Sequence, residues 1–391
     1  MSNSTKYRIG IFAYSLMAMG AISVNSAFSV IAEHFQVSDT EVALIASIPC
    51  IVIIVVTLFL GKVLEKVSQK KIGILGAILF LVGGLMPMVL DNLIVIFIFR
   101  AITGIGVAIS QVFMATLTAE FFEEKDRPSV QGLAQAAQSA GLIIMCLVSG
   151  FLASVSWRAS FLVHLLGAFS LIAMILCFPD RKPQAKEKSE QKSSARIGKN
   201  TIGWFALMFV VFLILLAFAN NLSFLLIEKN IGSSADTGLA LSVYAFAGLL
   251  VGLAYGKIDQ YIKAMKLPLS MLLFAILFFI IVLAKSMLVV YIGSFIGGIA
   301  LSLFFPQIML YTGQSVDPLL VPVAISLLTC SQNLGQILCP YVINPLAGLL
   351  TKGGNLQTMK LIIAMVAFLI LTVITGIYAI RRDRRDKQNM A

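Results

Sequence analysis

Apolar residues run in stretches of about twenty along most of this chain, and short clusters of charged and turn-forming residues separate them. At 1.5 Å of rise per residue, a helix of about 20 residues spans a hydrocarbon layer of about 30 Å. The pattern predicts twelve such segments, over residues 8–32, 42–61, 72–91, 93–117, 129–154, 159–178, 202–226, 237–257, 267–285, 287–311, 322–350 and 357–380. Lipid offers no hydrogen bonds to a peptide, and segments of this length satisfy their own backbone only as helices. The first segment is too long for a signal-peptide core and lacks a small-residue cleavage site, so it is expected to be retained. The reading is an all-α membrane protein with twelve transmembrane helices.

Composition agrees. Of 391 residues, 59% are hydrophobic and 12% are charged, and that balance excludes an ordinary soluble domain. The formal charge of +11 raises the question of nucleic acid, but the basic residues sit at the ends of apolar segments rather than on one face. With the N-terminus placed in the cytoplasm, 23 of the 29 Lys and Arg fall inside and 5 outside, leaving Arg100 within a segment. That bias predicts a cytoplasmic membrane location with both termini inside, and no nucleic-acid partner. Cys50, Cys146, Cys177, Cys330 and Cys339 lie in apolar runs without paired spacing and read as small buried hydrophobes. His34 and His164 are the only histidines, so neither a metal site nor another cofactor is expected.

One stretch breaks the pattern, the polar and highly charged residues 180–200. It reads as a cytoplasmic linker between two six-helix bundles, residues 1–179 and 201–391. Shifting the chain by 194 or 195 residues aligns Gly61-Lys62-Val63 with Gly256-Lys257-Ile258, and Gly104-Ile105-Gly106 with Gly298-Ile299-Ala300. The same shift aligns Gln138 and Gly141 with Gln332 and Gly335. A parallel repeat of this kind predicts two pseudo-symmetric bundles with a substrate site near the membrane midplane.

The run GKVLEKVSQKK at Gly61 to Lys71 and the run RAITGIG at Arg100 to Gly106 resemble motifs of the major facilitator superfamily, and the resemblance covers essentially the whole chain. In the first run Glu65, Ser68 and Gln69 replace the family's Asp, Gly and basic residue; in the fifth segment Met145 to Gly150 stand where its antiporters carry Gly-Pro. The resemblance implies a gate latch around Gly61. Glu65 would dock on the first turn of segment eleven, where Pro322 stands, while Lys66 or Lys70 pairs with Glu120. It also implies that Arg100 hydrogen-bonds carbonyls of the first segment and influences proton release or binds an anionic group, with Asn25 and Ser26 nearby in depth.

Polar side chains within segments are the remaining binding candidates: Asn25, Gln111, Gln138, Asn220, Tyr244, Gln307, Gln332, Asn333 and Gln336 beside Arg100. His164 reads as a packed residue rather than a proton relay, and Gly248, Gly252 and Gly256 as a close-packing face. No Asp or Glu lies deep in a segment, which favours neutral, amphipathic or anionic ligands over permanent cations. The resemblance implies a monomeric secondary transporter that moves a small organic solute through a lipid bilayer by alternating access. Proton-coupled efflux of amphipathic or drug-like compounds is the first expectation, with proton coupling itself left open. Uptake of an organic anion or other metabolite is the alternative. A receptor or enzyme embedded in the membrane is a further class, disfavoured because no GxSxG, P-loop or HExxH pattern occurs.

Overall fold

The computed structural model describes residues 3–64, 66–181, 198–262, 265–317, 320–351 and 355–390. We number its long helices α1 (Asn3–Phe35), α2 (Asp39–Leu64), α3 (Gln69–Met88), α4 (Leu93–Phe121), α5 (Ser129–Ala153) and α6 (Ala159–Cys177). The second set is α7 (Lys199–Glu228), α8 (Ser234–Ile262), α9 (Lys266–Leu283), α10 (Met287–Gln314), α11 (Val321–Leu350) and α12 (Leu356–Met390). Eleven of the twelve are long and apolar enough to cross a membrane among the described residues. The other, α11, has 30 residues and carries Gln332, Asn333 and Gln336 along its middle. Large apolar side chains such as Leu253 and Leu349 are exposed, as helices facing hydrocarbon require.

The chain divides into two compact units, Met1–Lys192 and Ser193–Ala391. Within the first, α2 and α3 pack on α4, α1 packs on α5 and α6, and α3 packs on α6. Within the second the same neighbours recur: α8 and α9 on α10, α7 on α11 and α12, and α9 on α12.

The repeat reaches individual atoms. The two non-glycine residues with positive φ are Gln36 (53°) and Asn230 (55°), among the described residues, each just beyond the first helix of its unit. Both second helices begin with a reciprocal cap that satisfies amides left open by the first turn. Ser38 and Glu41 form it at α2, and Ser233 and Asp236 at α8. A Cβ at Gly104 would lie 2.9 Å from the Pro49 carbonyl oxygen, and one at Gly298 would lie 2.0 Å from that of Tyr244. Likewise Gly141 meets the Leu16 carbonyl and Gly335 that of Phe209. Absence of a side chain at these four positions lets helix backbones touch.

The expected close-packing face on α8 holds only in part. Gly248 meets α10, and the Ser302 hydroxyl donates to its carbonyl at 2.7 Å, but Gly252 faces open space. No disulfide links the five cysteines; Cys50, Cys146 and Cys339 are buried, whereas Cys177 and Cys330 are half-buried.

Candidate functional site

In the first unit the polar chemistry gathers on α1, which is not a continuous α-helix. It is helical over Asn3–Ser15, tightens to 3-10 turns over Leu16–Ile22 and Asn25–Ala27, and resumes over Phe28–Phe35. Ser15 and Ser23 donate to the Ile11 and Gly20 carbonyls, back-bonds of the kind that bend helices. Where the α-helical ladder lapses, carbonyls need other donors. Ser170 of α6 donates to Ala13 at 2.7 Å, Ser110 of α4 to Tyr14 at 2.9 Å, and Gln111 of α4 to Ala18 at 3.2 Å.

Arg100 of α4 completes the set and is fully buried. One terminal nitrogen, Nη2, donates to the Gly20 carbonyl at 3.3 Å and to that of Ala21. Its Nε donates to Ile45 of α2 at 2.8 Å. That acceptor is open because Pro49, four residues on, has no N–H to return to it. Gly104, one turn beyond Arg100, lets α4 sit directly against Pro49. The other terminal nitrogen, Nη1, donates to Nε2 of His164 at 3.1 Å. Arg100, Gln111 and buried Asn25 are thus brought to one broken segment, where the resemblance expected Arg100 to reach carbonyls of the first helix.

The remaining candidates lie elsewhere. Gln138, buried on α5, accepts from Gln135 at 2.8 Å. In the second unit, Tyr244 of α8 lies with its ring centroid 5.6 Å from that of Phe218. Gln307 of α10 is buried and accepts from the Tyr255 hydroxyl at 3.4 Å, and Lys266 stacks 5.0 Å over the Tyr255 ring. Asn220 is buried on α7. Gln332 and Gln336 are half-buried on α11, whereas the amide nitrogen of buried Asn333 donates to Thr329 of its own helix at 2.9 Å.

Around the connection between α2 and α3, Gly61 and Lys66 are exposed, and Glu65 lies outside the described residues. Glu120 accepts from Gln69 rather than from a lysine. Lys70 instead donates to the Ile175 carbonyl at 2.7 Å, satisfying the end of α6, so the expected Lys66 or Lys70 pair with Glu120 is replaced by a neutral donor.

Several functional groups were not anticipated. Lys360 is fully buried on α12 and donates at 3.1 Å to both Asn221 and Gln357. Buried charges require such partners, and a lysine near a segment end gives no sequence signal of burial. At the far end of α1, His34 donates to Asp91 at 2.7 Å while Arg158 pairs with the same carboxylate at 2.9 Å and stacks on Trp157. The hydrogen bond from His34, aided by the Arg158 charge, holds the Asp91 carboxyl below its usual range. Lys229, just after α7, donates to the Ile281, Val282 and Ala284 carbonyls at the end of α9, with Val282 at 2.6 Å. Partial burial lowers its pKa, and Glu228 beside it opposes the shift.

The sequence model of the Major Facilitator Superfamily matches residues 10–220 and 207–390. Multidrug resistance protein 1 of Bacillus subtilis (strain 168) is 28% identical over 234 residues, 57% of this chain and 57% of that protein, so the match spans less than two thirds of that relative. The nitrite extrusion protein of the same organism is 24% identical over 81% of this chain and 76% of its own. A POT family transporter solved with a thioalcohol conjugated peptide superposes with a TM-score of 0.78 at 12% identity, covering 96% of both chains. The nucleoside transporter NupG gives 0.74 at 12% identity, covering 95% of this chain and 98% of that one. At these identities the two structures bear on the fold alone.

Proposed function

Because this chain belongs to the Major Facilitator Superfamily, whose relatives here are transporters and not enzymes, we propose that it exports small amphipathic or drug-like solutes in exchange for protons. The observation that carries the alternating-access part of this reading is the atom-level repeat: two units with the same left-handed caps, the same second-helix caps and the same glycine contacts. Two mechanically equivalent units are what alternating exposure of one site to two sides needs. The reading takes Asn25, Arg100, Gln111, Gln138, Asn220, Tyr244, Gln307, Gln332, Asn333 and Gln336 as substrate contacts. It takes Gly61, Glu65, Lys66, Lys70 and Glu120 as the gate, with Gln69 holding Glu120. The reading takes the protein as a monomer in the cytoplasmic membrane with both ends inside; the excess of basic residues at the inner segment ends supports that orientation. A multidrug resistance protein among the relatives supports export.

A second reading, transport of an anion, draws on the sign of the buried charges. Arg100, Lys266 and Lys360 are buried, and no Asp or Glu is buried among the described residues. An interior whose charges are all positive suits an anion better than a cation, and a nitrite extrusion protein among the relatives points the same way. Proteoliposome flux of chloramphenicol, a neutral amphipathic drug, and of nitrite, each with and without an imposed pH gradient, tests both readings. Gradient-driven chloramphenicol movement supports drug and proton exchange, nitrite movement alone supports the second reading, and movement of neither solute in either condition counts against both.

A further inference from the structure

We propose that His164 positions Arg100, fixing the rotation of its guanidinium so that the planar fork faces the broken segment of α1. A guanidinium carries five N–H donors and no acceptor, so only acceptors orient it. Ile45 takes the Nε donor, and Gly20 and Ala21 take one terminal nitrogen. The acceptor for the other terminal nitrogen is Nε2 of His164. Since arginine cannot accept, Nε2 must be the bare nitrogen and Nδ1 the protonated one, and Nδ1 donates to the Phe161 carbonyl at 2.9 Å.

The ring is held from every side. The Phe80 and Phe161 ring centroids lie 5.2 and 6.2 Å from it, and the Ser23 hydroxyl lies 3.4 Å from Nε2. A Cβ on Gly84 would come within 2.1 Å of the imidazole Cγ, so α3 offers the room only because that residue is glycine. A histidine serving as packing would need the rings alone. Here a carbonyl selects the tautomer and the pocket aims the bare nitrogen at one guanidinium.

The arrangement has a sign. A proton on Nε2 removes the lone pair that Nη1 uses and sets two cations 3.1 Å apart, which drives the fork away from the α1 carbonyls. The ionisable groups facing His164 are Arg100 on α4 and, beyond the guanidinium, Cys50 on α2; Ser23 of α1 and Phe80 and Gly84 of α3 bring no acid or base to the ring. The inference deepens the transport reading at Arg100, yet its tests do not require flux.

With two histidines in the chain, His34→Gln leaves a single imidazole in the full-length protein. Nitrogen-15 histidine spectra of that variant in lipid nanodiscs should show Nδ1 protonated and Nε2 bare at neutral pH, and Arg100→Met should shift the Nε2 resonance. A protonated Nε2, or a spectrum indifferent to Arg100→Met, overturns the proposal. His164→Phe keeps a ring but no acceptor and should lower the apparent melting temperature, His164→Gln should recover most of that loss, and neither should matter once Arg100 is Met. Additive losses, as packing alone would give, also overturn it. If His164→Phe or Arg100→Met does not fold, the protonation states of Nδ1 and Nε2 in the His34→Gln protein decide. Absent chloramphenicol and nitrite flux alongside the expected spectra would sink both substrate readings and leave this one standing.

Discussion

The same substitution made at two positions of α5 should change stability in opposite directions. Gly132 has nothing within 4 Å of where a Cβ would be, whereas at Gly141 that atom would fall 2.0 Å from the Leu16 carbonyl oxygen. Alanine is favoured over glycine in a helix by about 1 kcal/mol, so Gly132→Ala should stabilise by up to that amount. At Gly141 the same gain meets a backbone clash that no rotamer can relieve. Ordinary contact begins near 3.4 Å, so α5 must withdraw from α1 by about 1.4 Å, along a surface where both backbones are in contact. Overpacking of this kind costs about 1–3 kcal/mol, so the net effect is a loss of up to about 2 kcal/mol. Gly335→Ala, against Phe209, should behave like Gly141→Ala, and Gly252→Ala like Gly132→Ala. The assay is apparent melting temperature of purified full-length variants in one detergent, scored by the fraction remaining monodisperse after heating. If Gly141→Ala and Gly132→Ala move the midpoint in the same direction, close backbone approach is not what the glycine at 141 provides.

Arg100→Lys should destabilise strongly, because one ammonium cannot serve carbonyls on both α1 and α2; losing two charge-assisted bonds at about 1.5–3 kcal/mol each should show as a large fall in melting temperature and membrane yield. Asp91 has its pKa lowered in the fold, so the stability it contributes is present above the ordinary carboxylate value of about 3.9 and is lost as pH falls through the lower folded value. Asp91→Asn should therefore flatten the acid limb of a melting-temperature profile from about pH 5 downward; an unchanged limb would refute the assignment. Lys229→Met removes three bonds to the end of α9 and should cost about 1 kcal/mol, read as a lower melting temperature, with Lys229→Arg retaining most of it.

The helices, the repeat and the importance of Arg100 were legible in the sequence because each follows from spacing or from the cost of a charge in lipid. The break in α1 was not, since no proline marks Leu16 to Ala27 and the 3-10 turns depend on donors supplied by α4 and α6. Pro49 left a visible mark, but only the fold shows that Arg100 answers its missing N–H. His164 was read as packed, and it is; its bond to Arg100 is a tertiary fact without a local pattern. Lys360 stands near the end of a segment, where position says nothing of burial, and its buried charge depends on Asn221 and Gln357 as acceptors. The expected lysine partner of Glu120 came from the resemblance, and Gln69 holds it while Lys70 is taken by the Ile175 carbonyl.

Two adjacent residues at the close of α7 fasten different neighbours. Glu228 accepts from the Gln357 amide and the Thr358 hydroxyl at the start of α12, while Lys229 grips the end of α9. Three helix tips therefore share one rivet, and a tilt of α7 would carry the other two with it. That rim of the second unit should deform as a plate, so any local hinge in this unit has to sit farther down the helices.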